Sequence, residues 1–290
     1  MTEPAIRNIS DTARWVAVYR AMESERPDAL FHDPYARRLA GERGEQIVRT
    51  LKHGRSAAWS MIVRTAVFDE IILRLVREQG VRTVLNLAAG LDARPYRLPL
   101  PGSLRWVEVD LPEILAYKEE VLAGEHPVCA VERVRLDLAD RAARRELFAR
   151  VAGGGGPVLA VTEGLLIYLP APEVEGLATD LAAVPGFRWW LTDIVSPTIL
   201  RYLKKGWTKE LDAAQASFQF APEQGGDWFR PFGWKPVELR SFWLEGKRLR
   251  RRPPLAWLFD LLGLLNPKQR RDSLNTGALL LERDGGEGTR

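Results

Sequence analysis

Short apolar runs alternate with helical patterns along the middle of the chain. The runs have the length of strands and are nearly all apolar, which is typical of strands that are covered on both faces of a sheet. Strands that alternate with helices predict βαβ units and therefore a parallel sheet. The predicted strands are Thr83–Ala89, Leu104–Asp110, Val131–Leu138, Pro157–Glu163 and Phe187–Val195, and the predicted helices between them are Leu111–Leu122, Arg141–Val151 and Ala171–Val184.

Helices are also predicted upstream of the first strand. The segment Ala57–Gln79 carries apolar residues at helical spacing on one face and charged residues on the other, and Gly80 is a natural stop. Residues 1–56 read as amphipathic helical pieces, separated by turn signals at Arg26-Pro27-Asp28 and Asp33-Pro34. The apolar face of the long helix consists of Phe68, Ile71, Ile72, Leu75 and Val76.

The alternation breaks after the fifth predicted strand. Residues 197–235 are too many for a connecting loop and predict an inserted helical cap. This insert is dense in aromatic residues, which either line an apolar ligand pocket or form the core of the cap. A strand near Val237–Phe242, a helix near Leu255–Leu265 and a last strand at Thr276–Arg283 follow, which makes seven strands. The aromatic residues are Trp207, Phe218, Phe220, Trp228, Phe229, Phe232 and Trp234.

The composition narrows the class of protein. No stretch approaches the ~20 apolar residues that span a bilayer, the N-terminus has no apolar core of a signal peptide, and Cys129 is the only cysteine. We therefore expect a cytoplasmic protein without disulfides, and no membrane partner. One cysteine and three scattered histidines give no zinc-type cluster, so no metal site is expected.

The net charge of +4 and the pI near 9.3 permit a nucleic-acid partner but do not favour one, and none is expected. The basic run KRLRRR, Lys247–Arg252, is interpreted as a solvated helix entry or loop, with an anionic ligand or a polyanion surface as the alternative.

The turn after the first predicted strand is the first candidate for chemistry. Ala88, Ala89 and Gly90 are small enough for a tight turn that lets a ligand approach the backbone closely. The phosphate-binding pattern G-x-G-x-x-G is absent, so a ligand without phosphates is favoured, and S-adenosylmethionine (SAM) is such a ligand. A plain tight turn is the alternative.

Acidic residues end the next three predicted strands. Asp110 is placed to accept hydrogen bonds from ribose hydroxyls, or to cap the following helix. Asp137 with Leu138 is placed to contact an adenine, and Asp137 is also a potential helix cap. Glu163 follows an apolar run and needs a cationic partner, either a cationic ligand or a structural arginine.

Several segments in order resemble the leucine carboxyl methyltransferase family, above all its bacterial members, which are putative SAM-dependent O-methyltransferases. The likeness covers roughly residues 10–195 and includes FHDPYARRLAG within Thr12–Gly41. Family members often have glycine where Ala88 stands. The segments are Arg64-Thr65, NLAAGLDARPYRL (Asn86–Leu98), WVEVDLPEILAYK (Trp106–Lys118), Asp137-Leu138 and TEGLLIYL (Thr162–Leu169).

This resemblance implies a fold, a cofactor and roles for matching residues. The fold is a class I SAM-dependent methyltransferase fold, an α/β Rossmann-like sheet of seven strands with the last strand antiparallel. The expected single domain over 1–290 consists of a helical cover (1–56), a SAM-binding core (57–195), a cap insertion (196–235) and C-terminal elements that complete the sheet (236–290). Arg64 would pair with the methionine carboxylate of SAM, Asp110 would hold the ribose, and Asp137 and Leu138 would contact adenine. Ala88, Ala89 and Gly90 would line the cofactor, Glu163 and Tyr168 would lie near its methionine end, and Leu111 is also expected to bind the cofactor.

The methyl acceptor is expected to be a small, largely apolar molecule that presents a carboxylate or a hydroxyl. A carboxylate is already ionised at pH 7, so catalysis could rest on proximity, orientation and desolvation. A hydroxyl would need a general base. Glu163 and Asp193 are candidates only by position, so no catalytic residue is assigned.

Other functions remain open from sequence. An amino-methylating enzyme of nucleic acids would carry N-P-P-Y or D-P-P-Y after the fourth strand, where this chain has Thr162-Glu163-Gly164-Leu165. Asp33-Pro34-Tyr35 lies far away in the N-terminal region. A protein tail as acceptor, or a SAM-binding regulatory protein without catalysis, is compatible with the same residues. The oligomeric state does not follow from the sequence.

Overall fold

The structure, a computed structural model, describes residues 9–50, 54–212, 217–265 and 267–285. The strands in these ranges are β1 (Thr83–Leu87), β2 (Arg105–Asp110), β3 (Ala130–Arg135), β4 (Val158–Thr162), β5 (Phe187–Ile194), β6 (Trp234–Ser241) and β7 (Gly277–Arg283). The α-helices are α1 (Ile9–Ser24), α2 (Ala36–Thr50), α3 (Gly54–Glu78), α4 (Arg94–Arg97), α5 (Pro112–Val121), α6 (Arg141–Ala152), α7 (Ala171–Ala182), α8 (Pro197–Asp212), α9 (Phe242–Arg248), α10 (Ala256–Leu265) and α11 (Pro267–Leu274).

The strands form one sheet in the order β3-β2-β1-β4-β5-β7-β6. The first five strands pair in parallel, whereas β7 lies between β5 and β6 and is antiparallel to both. The strand order turns back between β1 and β4, and in open α/β sheets the carboxyl ends of the strands at such a point hold ligands. The predicted α/β fold with seven strands and an antiparallel last strand is confirmed.

The two faces of the sheet are covered by different elements. On one face, α3 packs through Val67, Phe68 and Ile71 against β1, β2 and β4. On the other face, α6 and α7 pack through residues such as Phe148 and Leu177. Successive strand residues belong to opposite clusters, as the period of two requires, which explains why the parallel strands read as continuous apolar runs.

The strands β1 to β5 lie within their predicted segments or one residue beyond them, but two ends differ in a way that affects the site. β1 ends at Leu87 rather than Ala89, because Ala88 adopts a left-handed backbone with φ of 54°. β3 ends at Arg135, so Asp137 and Leu138 lie in the loop after the strand.

The inserted segment is only partly helical. It begins with α8 and continues as an extended stretch and a 3₁₀ helix at Gly225–Phe232, while residues 213–216 lie outside the described residues. β6 starts at Trp234, three residues before its predicted position, and Phe242 begins α9 rather than ending a strand. Neither α9 nor α11 was predicted.

The aromatic residues of the insert mainly form core. Trp228, Phe229, Phe232 and Trp234 cluster with Phe220 behind the sheet, and the ring centroids of Phe229 and Trp234 lie 5.2 and 5.5 Å from that of Trp190 in β5. Phe218 alone of the described set faces the opposite way, towards the carboxyl edge of the sheet. The side chain of Trp207 lies outside the described residues.

The basic run at Lys247–Arg252 is not simply solvated. Arg251 is buried and contacts both carboxylate oxygens of buried Glu23 in α1, at 2.9 and 3.0 Å. The interpretation of this run as a solvated segment is therefore wrong at Arg251, which joins the C-terminal part to the N-terminal helices.

No helix within the described ranges is both long and apolar enough to cross a bilayer.

Candidate active site

The turn after β1 is held by the carboxylate at the end of β2. The amide of Gly90 donates to Oδ2 of Asp110 at 2.6 Å, and the amide of Leu111 donates to Oδ1 at 2.8 Å. Gly90 has φ of 49°, and a Cβ there would lie 3.2 Å from Cβ of Ala13 in α1. Ala88, Ala89 and Gly90 thus form a tight, close-packed turn, as expected.

Asp110 does not cap α5. The residue at the cap position is Leu111, and its side chain makes no capping hydrogen bond. Asp110 instead joins two adjacent strand ends, and burial raises its pKa. Among the described residues, one backbone amide donates to each carboxylate oxygen of Asp110. An ionised carboxylate oxygen can accept more than one hydrogen bond, so Asp110, which lines the cavity, can also accept from a ligand.

Asp137 and Leu138 follow β3 at the same edge. Oδ1 of Asp137 accepts a hydrogen bond from the amide of Ala139 at 2.9 Å, while the cap of α6 is Asp140. The carbonyl of Leu138 accepts a 2.8 Å hydrogen bond from Arg144. The helix-cap alternative for Asp137 is therefore wrong, and its exposed carboxylate remains available to a ligand.

Glu163 lies between two arginines. Its Oε1 accepts a hydrogen bond from Nε of Arg64 at 3.0 Å, and its Oε2 lies 2.7 Å from Nη1 of Arg94. Burial alone would raise the pKa of Glu163, but Arg94 and Arg64 outweigh it and hold the pKa below its usual range. Of the two partners predicted for Glu163, a cationic ligand or a structural arginine, the described residues provide the structural arginine.

Arg64 also contacts Asp193 at the end of β5, with 3.3 Å between Nη1 and Oδ2. The other oxygen of Asp193 accepts a hydrogen bond from the amide of Gly164 at 2.6 Å. Burial raises the pKa of Asp193 in spite of Arg64. Within the described ranges, Nη2 of Arg64 has no hydrogen bond, so one edge of the guanidinium can still receive an anion.

Tyr168 ends a 3₁₀ helix at Leu166–Tyr168. Its ring lies 5.4 Å from that of Phe218, measured between centroids. Burial raises the pKa of Tyr168 to about 12, so the phenol stays protonated at neutral pH.

An extended set of buried ion pairs supports these groups, and sequence reasoning missed it. Arg94 contacts Asp69 of α3 at 2.6 Å and Asp92 at 3.0 Å. Asp69 also binds Arg97 at 2.7 Å. The set of ion pairs ends at Arg20 of α1. Charged residues such as Asp69, which interrupts an apolar stretch of α3, are the sequence signal that could have indicated buried ion pairs.

Arg20 connects α1 to the ligand-binding turn. Its Nε donates to Asp33 at 2.8 Å, and its Nη2 donates to the carbonyl of Leu91 at 2.6 Å. Asp33, which belongs to the Asp33-Pro34-Tyr35 segment, is thus a buried structural acid.

A large cavity lies at this edge, with a volume of about 1840 Å³. It brings together every sequence-predicted site residue: Arg64, Ala88, Ala89, Gly90, Asp110, Leu111, Asp137, Leu138, Glu163 and Tyr168.

Large apolar side chains from other elements line the same cavity. Its wall includes residues of α3, α8, α9 and α10, together with Phe218. The sequence analysis predicts no contribution of the C-terminal helices to a site. Large side chains of this wall are Trp59, Met61, Ile199, Leu203, Phe242, Trp243 and Trp257.

Solved structures with the same architecture are known. A DUF574 family protein from Streptomyces avermitilis covers 94% of this chain and 97% of its own, with a TM-score of 0.61 and 15% identity. A putative methyltransferase from Thermobifida fusca covers 96% of this chain and 95% of its own, with a TM-score of 0.59 and 18% identity. At these identities the likeness concerns the fold.

Sequence relatives give the family. The model of the family described as leucine carboxyl methyltransferase matches residues 13–182, more than half of the chain. The chain belongs to this family.

Named relatives are described as "Putative S-adenosyl-L-methionine-dependent methyltransferase". One from Parafrankia sp. is 41% identical over 64% of this chain and 63% of its own length. One from Mycobacterium tuberculosis H37Rv is 36% identical over 62% of this chain and 64% of its own length. The matches thus span less than two thirds of those relatives. A third, from Frankia alni, is 33% identical over 77% of this chain and 82% of its own.

Proposed function

We propose that this protein is a SAM-dependent methyltransferase that methylates a carboxylate or hydroxyl oxygen of a small, largely apolar molecule. The observation that carries this proposal is that polar strand ends and large apolar side chains line one cavity. Asp110 and Arg64 lie among the polar groups, and the wall rich in tryptophan and aliphatic side chains is what we call the acceptor chamber. Family membership supports the reaction type.

The residues present fit SAM. The cofactor would be held by Asp110 at the ribose, by the loop of Asp137 and Leu138 at the adenine, and by the free edge of Arg64 at the carboxylate. A planar guanidinium suits a carboxylate. The ammonium and sulfonium charges suit the carboxylates of Glu163 and Asp193, and the β1 turn has no cradle for phosphates.

SAM supplies an electrophilic methyl group on a sulfonium. The contribution of the chain is to bind and orient both reactants and to exclude water, which raises the rate by proximity and desolvation. Glu163 is committed to two arginines, Asp193 is bound by Arg64 and the amide of Gly164, and Tyr168 stays protonated, so none of the three is a ready base. This favours an acceptor that is already ionised, that is, a carboxylate.

Calorimetry with SAM and with NAD tests cofactor binding. We expect a Kd of ~1–100 μM for SAM and no binding of NAD. Tight binding of NAD without SAM binding would overturn the proposal.

A methyl-transfer assay tests the acceptor. A panel of apolar carboxylic acids, matched phenols, a peptide with a free C-terminus and an oligonucleotide separates the candidate classes. We expect turnover of a carboxylic acid or a hydroxyl compound. Transfer only to the peptide or the oligonucleotide contradicts the acceptor class, and SAM binding with no transfer to any of them favours a regulatory role.

A further inference from the structure

The acceptor chamber opens between α8, α9, α10 and α11, and its rim carries large apolar side chains in water. Tyr202, Leu244, Trp257 and Leu261 line the cavity and are nevertheless 74%, 53%, 63% and 53% exposed. A side chain that both lines a cavity and faces solvent lies at its opening. The exposed lining at the adenine end, in contrast, is formed by small or charged residues such as Asp137, Ala139 and Glu173.

The apolar rim continues along one side of α10. Trp257, Leu258 and Leu261 are spaced as neighbours on a single helical face, and all are exposed. Leu255, just before the helix, is 60% exposed. Contiguous exposed apolar side chains around an opening indicate a surface that binds a membrane or another molecule.

Three cations surround the same opening. Lys205, Lys247 and Arg270 line the cavity and are exposed. In the described parts of the chain, no carboxylate lies within ion-pair distance of these three. The nearby acids are engaged: Asp260 pairs with Arg252 at 2.6 Å, and Asp272 accepts a 2.5 Å hydrogen bond from Thr198.

Exposed tryptophan and leucine beside lysine and arginine suit a membrane interface, where apolar side chains enter the acyl boundary and cations meet anionic headgroups. In this protein the cations come from α8, α9 and α11, which flank α10. Anionic lipid headgroups would pair with the cations, while Trp257 and Leu261 would enter the acyl boundary. The sequence-based expectation of no membrane partner depended on the lack of a spanning segment, which does not bear on surface docking.

We propose that this rim docks the protein on an anionic lipid surface, with the acceptor chamber open towards the bilayer. A lipophilic acceptor could then pass between membrane and chamber without crossing water. The passage of an acceptor rests on the proposed methyltransferase function, whereas the docking itself does not.

Vesicle flotation of the full chain without SAM tests the docking. We expect binding to vesicles of phosphatidylcholine and phosphatidylglycerol at 3:1, at least about tenfold stronger than to phosphatidylcholine alone, and weakened by salt. Lys205→Glu/Lys247→Glu/Arg270→Glu should lower this partitioning more than about tenfold. The matched control Arg77→Glu/Arg82→Glu/Lys235→Glu changes the net charge equally, at the opposite edge of the sheet, and should stay within about twofold.

A second variant tests the apolar contribution. Trp257→Ser/Leu261→Ser should lower binding to anionic vesicles about tenfold or more, with thermal melting used to verify that the variant is folded. The absence of wild-type binding, or equal losses in both charge-reversed triple variants, overturns the proposal. A wild-type dimer that Trp257→Ser/Leu261→Ser converts to a monomer, without vesicle binding, would assign the rim to a second copy instead. SAM calorimetry on the wild type is independent of these outcomes, so failure of docking and failure of the methyltransferase proposal are distinguishable.

Discussion

At the scale of single residues, the candidate site depends on one arginine that contacts three acids. Arg94 reaches Asp69, Asp92 and Glu163 from a side chain that is almost fully buried. Buried charges are tolerated only when they are paired and hydrogen-bonded, so each acid is fixed by the same group. Glu163 and the β1 turn are thereby positioned before any ligand arrives.

Replacing Asp110 should weaken cofactor binding and also lower the stability of the β1 turn. Asp110→Ala removes the acceptor of the Gly90 and Leu111 amides and also the proposed ribose contact. Each hydrogen bond to a charged carboxylate is worth roughly 1.5–3 kcal/mol. We expect the Kd for SAM, measured by calorimetry, to rise at least about tenfold. Asp140→Ala is the matched control, since it removes a cap of α6, should cost about 1 kcal/mol of stability, and should leave the Kd unchanged. A folded Asp110→Ala protein with normal affinity would remove this residue from the site.

Acid should weaken the protein partly through Asp92. Although burial opposes it, Arg94 and other cations lower the pKa of Asp92 from 3.8 to about 2. A lowered folded-state pKa gives stability that is present above the unfolded value and is lost as pH falls towards the folded value. The stability advantage of the wild type over Asp92→Asn should therefore shrink by about 1 kcal/mol between pH 5 and pH 3, as measured by urea unfolding. A constant difference over this range would contradict the shift.

The positions of the site residues could be predicted from sequence, but their partners could not. Strand ends such as Asp110 and Glu163 meet at one edge because parallel strands point the same way. Arg64 and Glu163 are 99 positions apart, and no pattern in either segment predicts that these two side chains form an ion pair. The helix-cap alternatives for Asp110 and Asp137 were wrong because the actual caps depend on where each helix begins.

At the scale of elements, prediction succeeded where the pattern of apolar residues was long or continuous. The strands β1 to β5 and the long helix α3 have such patterns. The helix α11, PKQRRDSL, has almost no apolar residue, and α9 is only seven residues long, so neither gives a periodic signal. These two helices are placed by tertiary contacts with α3 and α8.

The pair of Glu23 and Arg251 should hold α1 against the loop after α9. Both side chains are buried, so Glu23→Leu leaves the Arg251 guanidinium, among the described residues, with only the exposed carboxylate of Asp28 as an ionic partner. The variant also removes the acceptor of the Leu30 amide. It should cost about 3 kcal/mol of unfolding free energy. Glu25→Leu is the matched control: Glu25 pairs with Arg37 at the surface, where loss of an ion pair costs less than about 1 kcal/mol. Chemical denaturation measures both. Equal effects would mean that the buried pair has no special role.

At the scale of the whole molecule, the cavity is lined by elements from both ends of the described chain. Thr12 and Arg20 come from α1, whereas Arg270 and Thr276 come from beyond α10. A ligand that fills the cavity therefore connects segments that are distant in sequence. Such a ligand binds only the folded state and must stabilise it.

Thermal melting should report this linkage. At a concentration of SAM one hundred times its Kd, the stabilisation is about 2.7 kcal/mol, which corresponds to a rise in Tm of roughly 4–5 °C for a chain of this size. NAD at the same concentration is the control and should leave Tm unchanged. A SAM-independent Tm, with SAM binding seen by calorimetry, would mean that the unfolded chain binds SAM as well.

The position of β7 between β5 and β6 has a consequence for synthesis on the ribosome. β6 precedes β7 in the chain but pairs only with β7, so it has no strand partner until residues 277–283 have emerged. Until then the edge of β5, with Trp190 and Leu191, is open to pairing with another chain. The nascent protein thus carries an unpaired, apolar strand edge while the segment between β5 and β7 is synthesised, and chaperones that bind such edges would meet it at that stage.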